Sequence, residues 1–526
     1  MINQPAQKTE KQTTGILKYP QPDINFSPQI PPLKKIKDKT KIDIRYCLIA
    51  PYAYAHIYWD PKEYELFYEI EEPELTIDEK KSKDQIIEAL KSLVDFDMVI
   101  EKDLGALLEY IHQRARILAF ELELSLSYES YNKIYYYLCR DFVGMNEVEP
   151  ILKDFFVEDI ECNGIDTPIY IVHRYYRNIK TNIEFENLAK AESFTEKLAQ
   201  RCGKHISYSQ PILDGSLNDG SRVNATYTKD ITSRGPTFTI RKFTKTPWTP
   251  PQLISFKTLS LEMMAYLWML VEHKMNILIA GGTGSGKTTL LNVLAFFIPP
   301  EARVVSIEDT RELNLPRENW LPAVSRSATG TGEFGEIDLF TLLKASFRQR
   351  PDYIIVGEVR GKEAFVLFQG MASGHPSIST IHAESVETVI KRLETPPIEL
   401  PPTLMNILDC VCIMGQATIN KEETRKVKEI VEIINVDESG AALTNTPFIW
   451  NPTDNEFYSK RKSKILEKIS LRSGKSKEEI EQEFREKIKL LYILVQQKKY
   501  GFNEVQDIIN EYYKNPQGIL KRFNIL

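Results

Sequence analysis

The sequence predicts an α/β protein. A P-loop domain built on a parallel sheet forms its C-terminal half, and α+β structure forms its N-terminal half. Three observations predict this fold class. A short apolar segment, a glycine-rich loop and an apolar helical segment follow one another across residues 275–298. Strand and helix patterns alternate beyond that point, as a parallel sheet requires. Three prolines within residues 244–251 mark a linker between the two halves.

Composition narrows the class of protein. At 526 residues the chain is too long for one core, so two or three domains are expected. Its net charge of −6 argues against a protein that coats nucleic acid, and no nucleic-acid partner is expected. No run of about 18 apolar residues predicts a membrane span, and residues 1–8 lack the apolar segment of a signal peptide. The six cysteines are scattered without a C-x-x-C pair, which predicts a cytoplasmic protein without zinc.

The N-terminal half divides into three predicted segments. Residues 1–40 lack a periodic pattern and predict a flexible tail, either solvated or docked on a partner or on anionic lipid. Three short strand patterns followed by helical patterns predict an α+β and helical region at residues 41–145. Residues 146–243 predict a second α+β domain, which is PAS-like.

The C-terminal half begins with a predicted linker at residues 244–255. The P-loop domain is expected to occupy residues 256–450, and the strand that closes its core is predicted at residues 427–436. The last segment, residues 451–526, combines many charges with helical patterns and predicts a C-terminal helical appendage.

Residues 281–288 match the P-loop pattern G-x-x-x-x-G-K-[ST], after a strand and before a helix. Glycines let backbone N–H groups turn inward around phosphate oxygens, and the helix N-terminus adds partial positive charge. Lys287 would reach the β- and γ-phosphates, and the Thr288 hydroxyl would hold Mg²⁺. The flanking strand and helix disfavour the alternative, a glycine-rich turn with an incidental lysine. The predicted nucleotide-binding residues are Gly281, Gly282, Thr283, Gly284, Ser285, Gly286, Lys287, Thr288 and Thr289.

Two strands beyond the P-loop end in acidic residues. One is predicted at residues 304–307 and is followed by Glu308, Asp309 and Glu312. One of these acids could orient or deprotonate an attacking water, unless the segment is only a solvated loop. A later strand ends at Glu358, whose carboxylate would reach the Mg²⁺ shell, and the longer Glu side chain suits contact through a metal-bound water.

Histidines and arginines flank the later strands. His375 precedes and His382 follows a predicted strand, where a phosphate sensor is favoured over a structural role. Their spacing, without a carboxylate partner, does not resemble a zinc site. Arg348 and Arg350 precede the strand that ends in the later acid, and Arg360 follows it. These arginines predict either surface ion pairs or phosphate contacts.

Together these motifs resemble the hexameric secretion ATPases of type II and type IV systems. More narrowly, they are similar to the archaeal branch that serves archaella, type IV pili and secretion filaments. The resemblance covers residues 145–515 and implies a RecA-like ATPase domain with ATP and Mg²⁺ as cofactors. The chain lacks the tetracysteine zinc insertion of bacterial type II members, as the archaeal members do. The resemblance does not extend to residues 1–145, which leaves the identity of the system open there.

Individual roles are implied by the same resemblance. Residues 307–312 resemble the Asp box, whose final acid is regarded as the catalytic glutamate. The segment ending at Glu358 resembles an unusual Walker B motif with Glu in place of Asp, and residues 374–383 resemble the His box. The implied catalytic residues are Glu312, Glu358, Lys287 and His382, and the implied Mg²⁺ ligands are Thr288 and Glu358.

Three N-terminal segments, residues 157–164, 219–224 and 235–243, resemble the N-terminal domain of the archaeal members. In that family the domain delivers arginines to nucleotide across domain or subunit boundaries. The candidate arginine fingers and sensors are Arg222, Arg241, Arg360 and His375, with Arg234 a weaker candidate.

The expected function is therefore ATP hydrolysis coupled to movement. The resemblance implies a homo-oligomeric, hexameric ring at the inner face of the cell membrane, acting on a polytopic membrane platform protein. A DNA-translocating or conjugation-type motor shares the same core and is the main alternative. A small-molecule kinase is a third class, although no acceptor site or lid is recognisable. The sequence leaves open whether the machine is an archaellum, an adhesive pilus or a secretion filament.

Overall fold

The computed structural model describes residues 19–26, 33, 36–93, 104–243, 246–326, 335–419 and 422–525. These residues form two compact units, divided between Phe243 and Thr244. The division falls at the start of the predicted linker. Most of the predicted tail at residues 1–40 lies outside the described ranges. The prediction is wrong for residues 19–26, because Tyr19 and Phe26 are buried in the core of the first unit and Asn25 forms a β-bridge with Ala50. Among the described helices, none combines the length and the apolar character needed to cross a membrane.

A sheet of nine described strands organises the first unit. The strands are β1 (Asp43–Ile49), β2 (Ala53–Asp60), β3 (Glu65–Glu71), β4 (Val157–Cys162), β5 (Pro168–His173), β6 (Arg177–Glu184), β7 (Ile212–Ser216), β8 (Arg222–Thr226) and β9 (Thr237–Arg241). Their order is β1-β2-β3-β6-β5-β4-β9-β8-β7. The described helices are α1 (Ile77–Leu93), α2 (Leu104–Glu121), α3 (Tyr128–Leu138), α4 (Glu149–Lys153) and α5 (Leu188–Arg201).

The strands of the first unit alternate buried and more exposed residues. In β2, Ala53, Ala55 and Ile57 are fully buried, whereas the residues between them are half-buried. Successive side chains of a strand point to opposite faces of the sheet, so one face carries the apolar core. Ile111 of α2 and Tyr131 of α3 belong to that same core, which places these helices on the apolar face.

The structure corrects the expected division of the N-terminal half at residue 145. β3 pairs in parallel with β6, which joins the strands before and after that position in one sheet. Asp154, 1% exposed, also accepts hydrogen bonds from the hydroxyls of Tyr46 at 2.6 Å and Tyr68 at 2.7 Å. The strand pattern shows which face of each strand is buried, but it does not show which strands become neighbours.

A second sheet of nine described strands organises the other unit. The strands are β10 (Ile277–Gly281), β11 (Val304–Glu308), β12 (Trp320–Val324), β13 (Tyr353–Val356), β14 (Ser377–Ile381), β15 (Cys410–Ile419), β16 (Glu422–Val436), β17 (Ala442–Asn451) and β18 (Glu456–Ser459). Their order is β12-β11-β13-β14-β10-β15-β16-β17-β18. The strands from β12 to β15 pair in parallel, and β15 to β18 pair antiparallel.

The parallel part of this sheet is buried on both faces, as strands with crossover helices require. In β10, Ile277 and Ile279 join one apolar core, whereas Leu278 and Ala280 join another. The described helices of this unit are α6 (Pro250–Ser255), α7 (Leu261–Glu272), α8 (Lys287–Ala295), α9 (Leu339–Ser346), α10 (Glu363–Ala372), α11 (Val386–Glu394), α12 (Pro402–Met405), α13 (Lys464–Ser473), α14 (Lys477–Gln496), α15 (Phe502–Lys514) and α16 (Pro516–Arg522).

The linker expected at residues 244–255 is corrected in its second half. Residues 250–255 form α6, with a capping box between Thr249 and Gln252. Pro250 and Pro251 are buried in the first turn, where proline is compatible with a helix because its missing N–H would have no partner there. The proline cluster therefore starts a helix rather than extending a linker.

The C-terminal segment is not a separate appendage. β17 and β18 extend the sheet beyond the strand that was expected to close it, and α13 to α16 contribute to one of the two apolar cores. Glu432 of β16 is fully buried and accepts hydrogen bonds from the Tyr266 hydroxyl at 2.7 Å and the Lys464 N–H at 2.8 Å. The charged faces of these helices predict solvent exposure, but their apolar faces, including Ile480 and Leu490, are buried against the domain.

A buried ion cluster also attaches α14 to α7. The fully buried ammonium of Lys487 lies 2.9 Å from Glu272 and 2.6 Å from Glu483. His273 lies 3.7 Å from Glu483, and the two acids share Lys487, a cation that the chain itself provides. The two carboxylates keep the pKa of Lys487 above its ordinary value despite burial. The cluster is a structural connection between the two helices.

Candidate functional site

The glycine loop follows β10 at the carboxyl end of the parallel sheet, where ligands bind in open α/β folds. Gly284 has φ of 69° and Gly286 has φ of 95°, a left-handed conformation that glycine adopts without steric cost. Gly286 is the N-cap of α8, so the loop leads directly into a helix N-terminus. This geometry suits an anion, because N–H groups and the helix dipole both point to the loop.

Lys287 begins α8 and turns back across the loop. Its side chain is only 7% exposed, and its ammonium donates to the carbonyl of Gly282 at 2.9 Å. The same nitrogen lies 3.3 Å from Nδ1 of His382. Burial lowers the pKa of Lys287, while the carboxylates of Glu358 and Glu312 act in the opposite direction. The structure thus holds the Lys287 ammonium over the glycine loop, beside the N-terminus of α8.

Glu358 and His382 follow β13 and β14, the two strands next to β10 on one side. Nε2 of His382 lies 3.3 Å from Oε1 of Glu358. The Thr380 hydroxyl donates to the Gly357 carbonyl at 2.7 Å, which ties the two strand ends together. Lys287, His382 and Glu358 therefore form one chain of polar contacts, and the structure brings these three predicted residues together.

Glu308 supports the loop that carries Glu312. The Glu308 side chain is 2% exposed, and its Oε1 accepts hydrogen bonds from the N–H groups of Glu312 and Leu313, both at 2.9 Å. Its buried Oε2 has no hydrogen-bond partner among the described residues. Burial raises the pKa of Glu308 to about 7. Because this carboxyl group faces inward, Glu308 positions the loop, and the exposed Glu312 is the acid that can approach a substrate.

Asn292 of α8 holds the same loop from the P-loop side. Its Nδ2 donates to the Glu312 carbonyl at 3.3 Å, and its Oδ1 accepts from the Asn314 N–H at 3.1 Å. Asn292 was not predicted from the sequence, because a lone Asn in an apolar helix belongs to no motif. Its role depends on contact between segments that lie about twenty residues apart in sequence.

Arg360 lies at the same sheet edge but is engaged in an ion pair. Its Nη2 donates to Asp309 at 2.6 Å, and the Ser325 hydroxyl also donates to Asp309, at 2.8 Å. The side chain of Arg360 is 62% exposed. The structure therefore places Arg360 near the acidic loop, paired with a carboxylate.

Three predicted residues lie at the other end of their strands. His375 precedes β14 and Arg348 and Arg350 precede β13, whereas the P-loop is reached from the carboxyl ends. His375 packs beside Phe347, with ring centroids 5.4 Å apart. The structure does not bring His375, Arg348 or Arg350 to Lys287. Residues before a strand lie at its amino end, whereas Lys287 lies at the carboxyl ends of the parallel strands.

Arg222 and Arg241 belong to the first unit and lie on adjacent strands. They are direct partners in the register of β8 and β9, so their side chains share one face of the sheet. Arg222 lies 3.3 Å from Asp214, and Arg241 lies 3.1 Å from Asp159. Both arginines are exposed, and the opposite face of these strands is buried. Arg234 lies instead in the turn before β9, where its carbonyl accepts the Ile165 N–H.

The oxygen donors near the P-loop fit Mg²⁺. Thr288 offers a hydroxyl directly after Lys287, and Glu358 offers a carboxylate at the neighbouring strand end. Hydroxyl and carboxylate oxygens are hard ligands that suit Mg²⁺, which also retains several waters. Thr289 is half-buried in the first turn of α8, directly after Thr288.

Two further residues contact the P-loop and were missed by the sequence analysis. Arg425 Nε donates to the Gly284 carbonyl at 2.8 Å, and Gln416 Nε2 donates to the Thr283 carbonyl at 3.4 Å. Both side chains come from the hairpin of β15 and β16, more than a hundred residues further along the chain. No local pattern could indicate them, because the contact depends on β15 pairing beside β10.

The fold and the site define a RecA-like P-loop protein of the α/β class, preceded by an α+β unit. The family described as "Type II/IV secretion system protein" matches residues 173–446. The chain is also 35% identical over 504 residues to an uncharacterized protein of Methanocaldococcus jannaschii, covering 91% of each chain. It therefore belongs to the family of type II/IV secretion system proteins, which confirms the resemblance at that level.

Two other proteins are similar over part of the chain. The conjugal transfer protein TrbB of Rhizobium radiobacter is 32% identical over 256 residues, which cover 47% of this chain and 75% of TrbB. The solved structure of the ATPase DotB of Legionella pneumophila matches with a TM-score of 0.39 and 18% identity, covering 71% of this chain and 92% of DotB.

Proposed function

We propose that this chain is a cytoplasmic ATP-hydrolysing motor for a type II secretion-like or type IV pilus-like membrane machine of archaea. The observation that carries the proposal is the chain of contacts from Lys287 through His382 to Glu358 beside a glycine loop. Membership of the type II/IV secretion family supports a secretion or pilus role. Similarity over nearly the full length to a protein of Methanocaldococcus jannaschii, an archaeon, supports the archaeal branch.

Each site residue has its own proposed role in the reaction. Lys287 would bind the β- and γ-phosphates, and loop N–H groups would bind the remaining phosphate oxygens. Thr288 and Glu358 would hold Mg²⁺, which when bound neutralises charge on the transferred phosphate. Glu312 would accept the proton of the attacking water, and His382 would orient the Glu358 carboxylate or the γ-phosphate. ATP hydrolysis, with water as the acceptor, is the reaction these groups support.

Coupling to movement is proposed to involve the first unit. Arg222 and Arg241 sit side by side on one exposed face, so together they could deliver two guanidinium groups to a phosphate once their carboxylate partners are displaced. In the proposed homo-hexameric ring, these arginines would act on nucleotide across a domain or subunit boundary. Closure of that boundary during hydrolysis would displace a polytopic membrane platform protein at the inner face of the membrane.

A direct test measures ATP hydrolysis and assembly of the full-length chain. The expected result is Mg²⁺-dependent hydrolysis that rises with assembly into a ring, measured by phosphate release together with mass determination in solution. Deletion of the gene in its host should remove surface filaments or secreted protein, and the wild-type gene should restore them. Hydrolysis that is absent in the assembled protein, or a deletion strain with intact filaments and secretion, would reject the proposal.

The second candidate is a DNA-translocating or conjugation-type motor. The similarity to the conjugal transfer protein TrbB favours it over part of the chain. The net charge of −6 argues against it, because DNA binding depends on cationic surface. Hydrolysis measured with and without double-stranded and single-stranded DNA at physiological salt separates the two functions. Strong stimulation by DNA would support the conjugation-type motor, and equal rates would support the filament or secretion motor.

A further inference from the structure

The hairpin of β15 and β16 extends past the end of the P-loop strand. β15 pairs with β10 as far as Met414 opposite Gly281, and it then continues to Ile419 alongside the glycine loop. Gln416 and Arg425 are direct partners in the register of the hairpin, so their side chains lie on the same face. That face lies against the P-loop, because both side chains contact its backbone.

The contacts between the hairpin and the loop are close. A Cβ atom on Gly284 would lie 2.9 Å from Nε2 of Gln416, and one on Gly286 would lie 3.3 Å from Cδ of Arg425. A Cβ atom on Gly281 would lie 2.8 Å from the carbonyl oxygen of Met414. The hairpin therefore packs directly against three glycines of the loop, with a backbone atom opposite Gly281 and side-chain atoms opposite Gly284 and Gly286.

The two hydrogen bonds act on consecutive peptide units. The carbonyl of Thr283 shares a rigid peptide plane with the N–H of Gly284, and the carbonyl of Gly284 shares one with the N–H of Ser285. In a trans peptide the C=O and N–H bonds point in opposite directions. Donors that hold the two carbonyls towards the hairpin therefore turn the two N–H groups away from it, and the Ser285 N–H makes a long contact of 3.4 Å with the Gly282 carbonyl inside the loop. Phosphate binding by a P-loop requires N–H groups that converge on one concave side.

We propose that Gln416 and Arg425 are positioning residues that hold the Thr283–Gly284 and Gly284–Ser285 peptide units in the phosphate-binding orientation. The hairpin thereby sets the affinity of the loop for the phosphates of a nucleotide, a role that rests on the proposed function of this site. Preorganisation raises affinity because the loop no longer loses conformational freedom when the anion binds. The catalytic groups Lys287, Glu312 and Glu358 keep their own supports, so the rate of the bound complex changes little.

The test measures the affinity of the full-length protein for Mg-ADP by equilibrium binding, and KM and kcat for ATP. Arg425→Ala should raise Kd and KM about tenfold, because it removes a charge-assisted hydrogen bond. Gln416→Ala should raise both about threefold, because its hydrogen bond is longer and neutral. In both variants kcat should stay within about threefold of wild type. Thr424→Ala is the matched control, since Thr424 is the neighbour of Arg425 on the other face of the hairpin and its hydroxyl donates to the Ala417 carbonyl within it.

Two substitutions separate orientation from charge. Arg425→Gln keeps a donor without the charge, whereas Arg425→Lys keeps the charge with a single flexible donor. Partial recovery of affinity in the Gln variant supports positioning. Full recovery in the Lys variant with none in the Gln variant would overturn it, because charge alone would then account for the effect.

Further outcomes would contradict either the inference or the proposed function. If Arg425→Ala leaves Kd within about twofold of wild type, or if Thr424→Ala raises Kd equally, the inference is wrong. If kcat falls while Kd is unchanged, it is wrong as well. A wild-type protein that neither binds Mg-ADP nor hydrolyses ATP would instead reject the proposed function. The two failures are therefore distinguishable.

Discussion

The two sheets have equal numbers of described strands but differ in strand direction and in burial. In the first unit, all neighbouring described strands are antiparallel except β3 and β6, and β8 and β9 each expose alternate residues. In the second unit, β10, β11, β13 and β14 are buried along their whole length. An antiparallel sheet can leave one face in water, whereas a parallel sheet is covered on both faces by its crossover helices.

This difference determines where polar functional side chains can lie in each sheet. In the buried parallel sheet, functional side chains are confined to the strand ends, and parallel strands bring all their carboxyl ends to one edge. Lys287, Glu358 and His382 come together in this way from three separate segments. In the antiparallel sheet, the polar pair lies on a strand face, where Arg222 and Arg241 are direct neighbours. In the second unit, polar site residues thus collect at the carboxyl ends of the strands. In the first unit, the polar pair lies on the exposed face of the sheet.

The largest expected effect comes from the edge of the parallel sheet. Lys287→Ala should abolish ATP hydrolysis, with a loss of at least about a thousandfold, because the phosphate charge would lose its buried cation. Steady-state phosphate release by the full-length protein measures it. Lys391→Ala, an exposed lysine on α11, is the matched control and should keep wild-type turnover. Wild-type turnover in Lys287→Ala would contradict the site assignment.

The next effect tests which acid at that edge does the chemistry. Glu312→Gln should lower kcat about a hundredfold or more while Mg-ADP affinity changes little, because the amide cannot accept a proton from water. Glu318→Gln, an exposed residue later in the same segment, is the control. A Glu312→Gln protein with near-normal kcat would show that another group accepts the proton.

A smaller effect is expected on the exposed face of the first unit. Arg222→Ala and Arg241→Ala should each lower kcat of the assembled protein about tenfold or more if their guanidinium groups reach nucleotide. Hydrolysis should be measured above and below the concentration of ring assembly. Thr239→Ala, on the same exposed face, is the control. Equal rates for all three variants in the assembled protein would restrict the arginines to their ion pairs with Asp214 and Asp159.

The smallest effect on turnover is expected at Glu308, which supports the acidic loop from inside. Glu308→Gln keeps the acceptor for the two loop N–H groups, so turnover should remain within about fivefold of wild type. The pH dependence of stability should change instead. The folded-state pKa is raised from 4.5 to about 7, so the folded protein retains a proton that the unfolded chain releases. This contribution to stability is complete below pH 4.5 and is lost as pH rises through 7.

The expected size of that loss is roughly 3 kcal/mol, from a shift between 4.5 and about 7 at about 1.4 kcal/mol per pKa unit. Denaturant unfolding of wild type and Glu308→Gln between pH 4.5 and 8 measures the difference, and other titrating groups cancel in the comparison. Wild type should lose stability relative to the variant as pH rises. Parallel stability profiles for the two proteins would contradict a buried carboxyl group of raised pKa.

Local patterns were sufficient for the P-loop and much of its surroundings. The strand predicted before the glycine loop appears as β10, and the helix after the loop begins at Lys287. Patterns of this kind succeed because burial imposes a period on each segment by itself. Local patterns failed where the position of a segment depends on its contacts with a distant segment. β17 and β18 were not expected, and the buried faces of α13 to α16 were interpreted as belonging to a separate appendage.

The sequence by itself determined that the chain contains a P-loop motif, which family it resembles, and which acids and histidines follow its strands. Only the tertiary structure decided which of them meet. It brings His382 to Lys287, leaves His375 at the other end of β14, and adds Arg425 from a distant hairpin. The physical reason is that a glycine loop or a strand end is a property of neighbouring residues. Hydrogen bonds between distant segments depend on strand order and register, which no local pattern encodes.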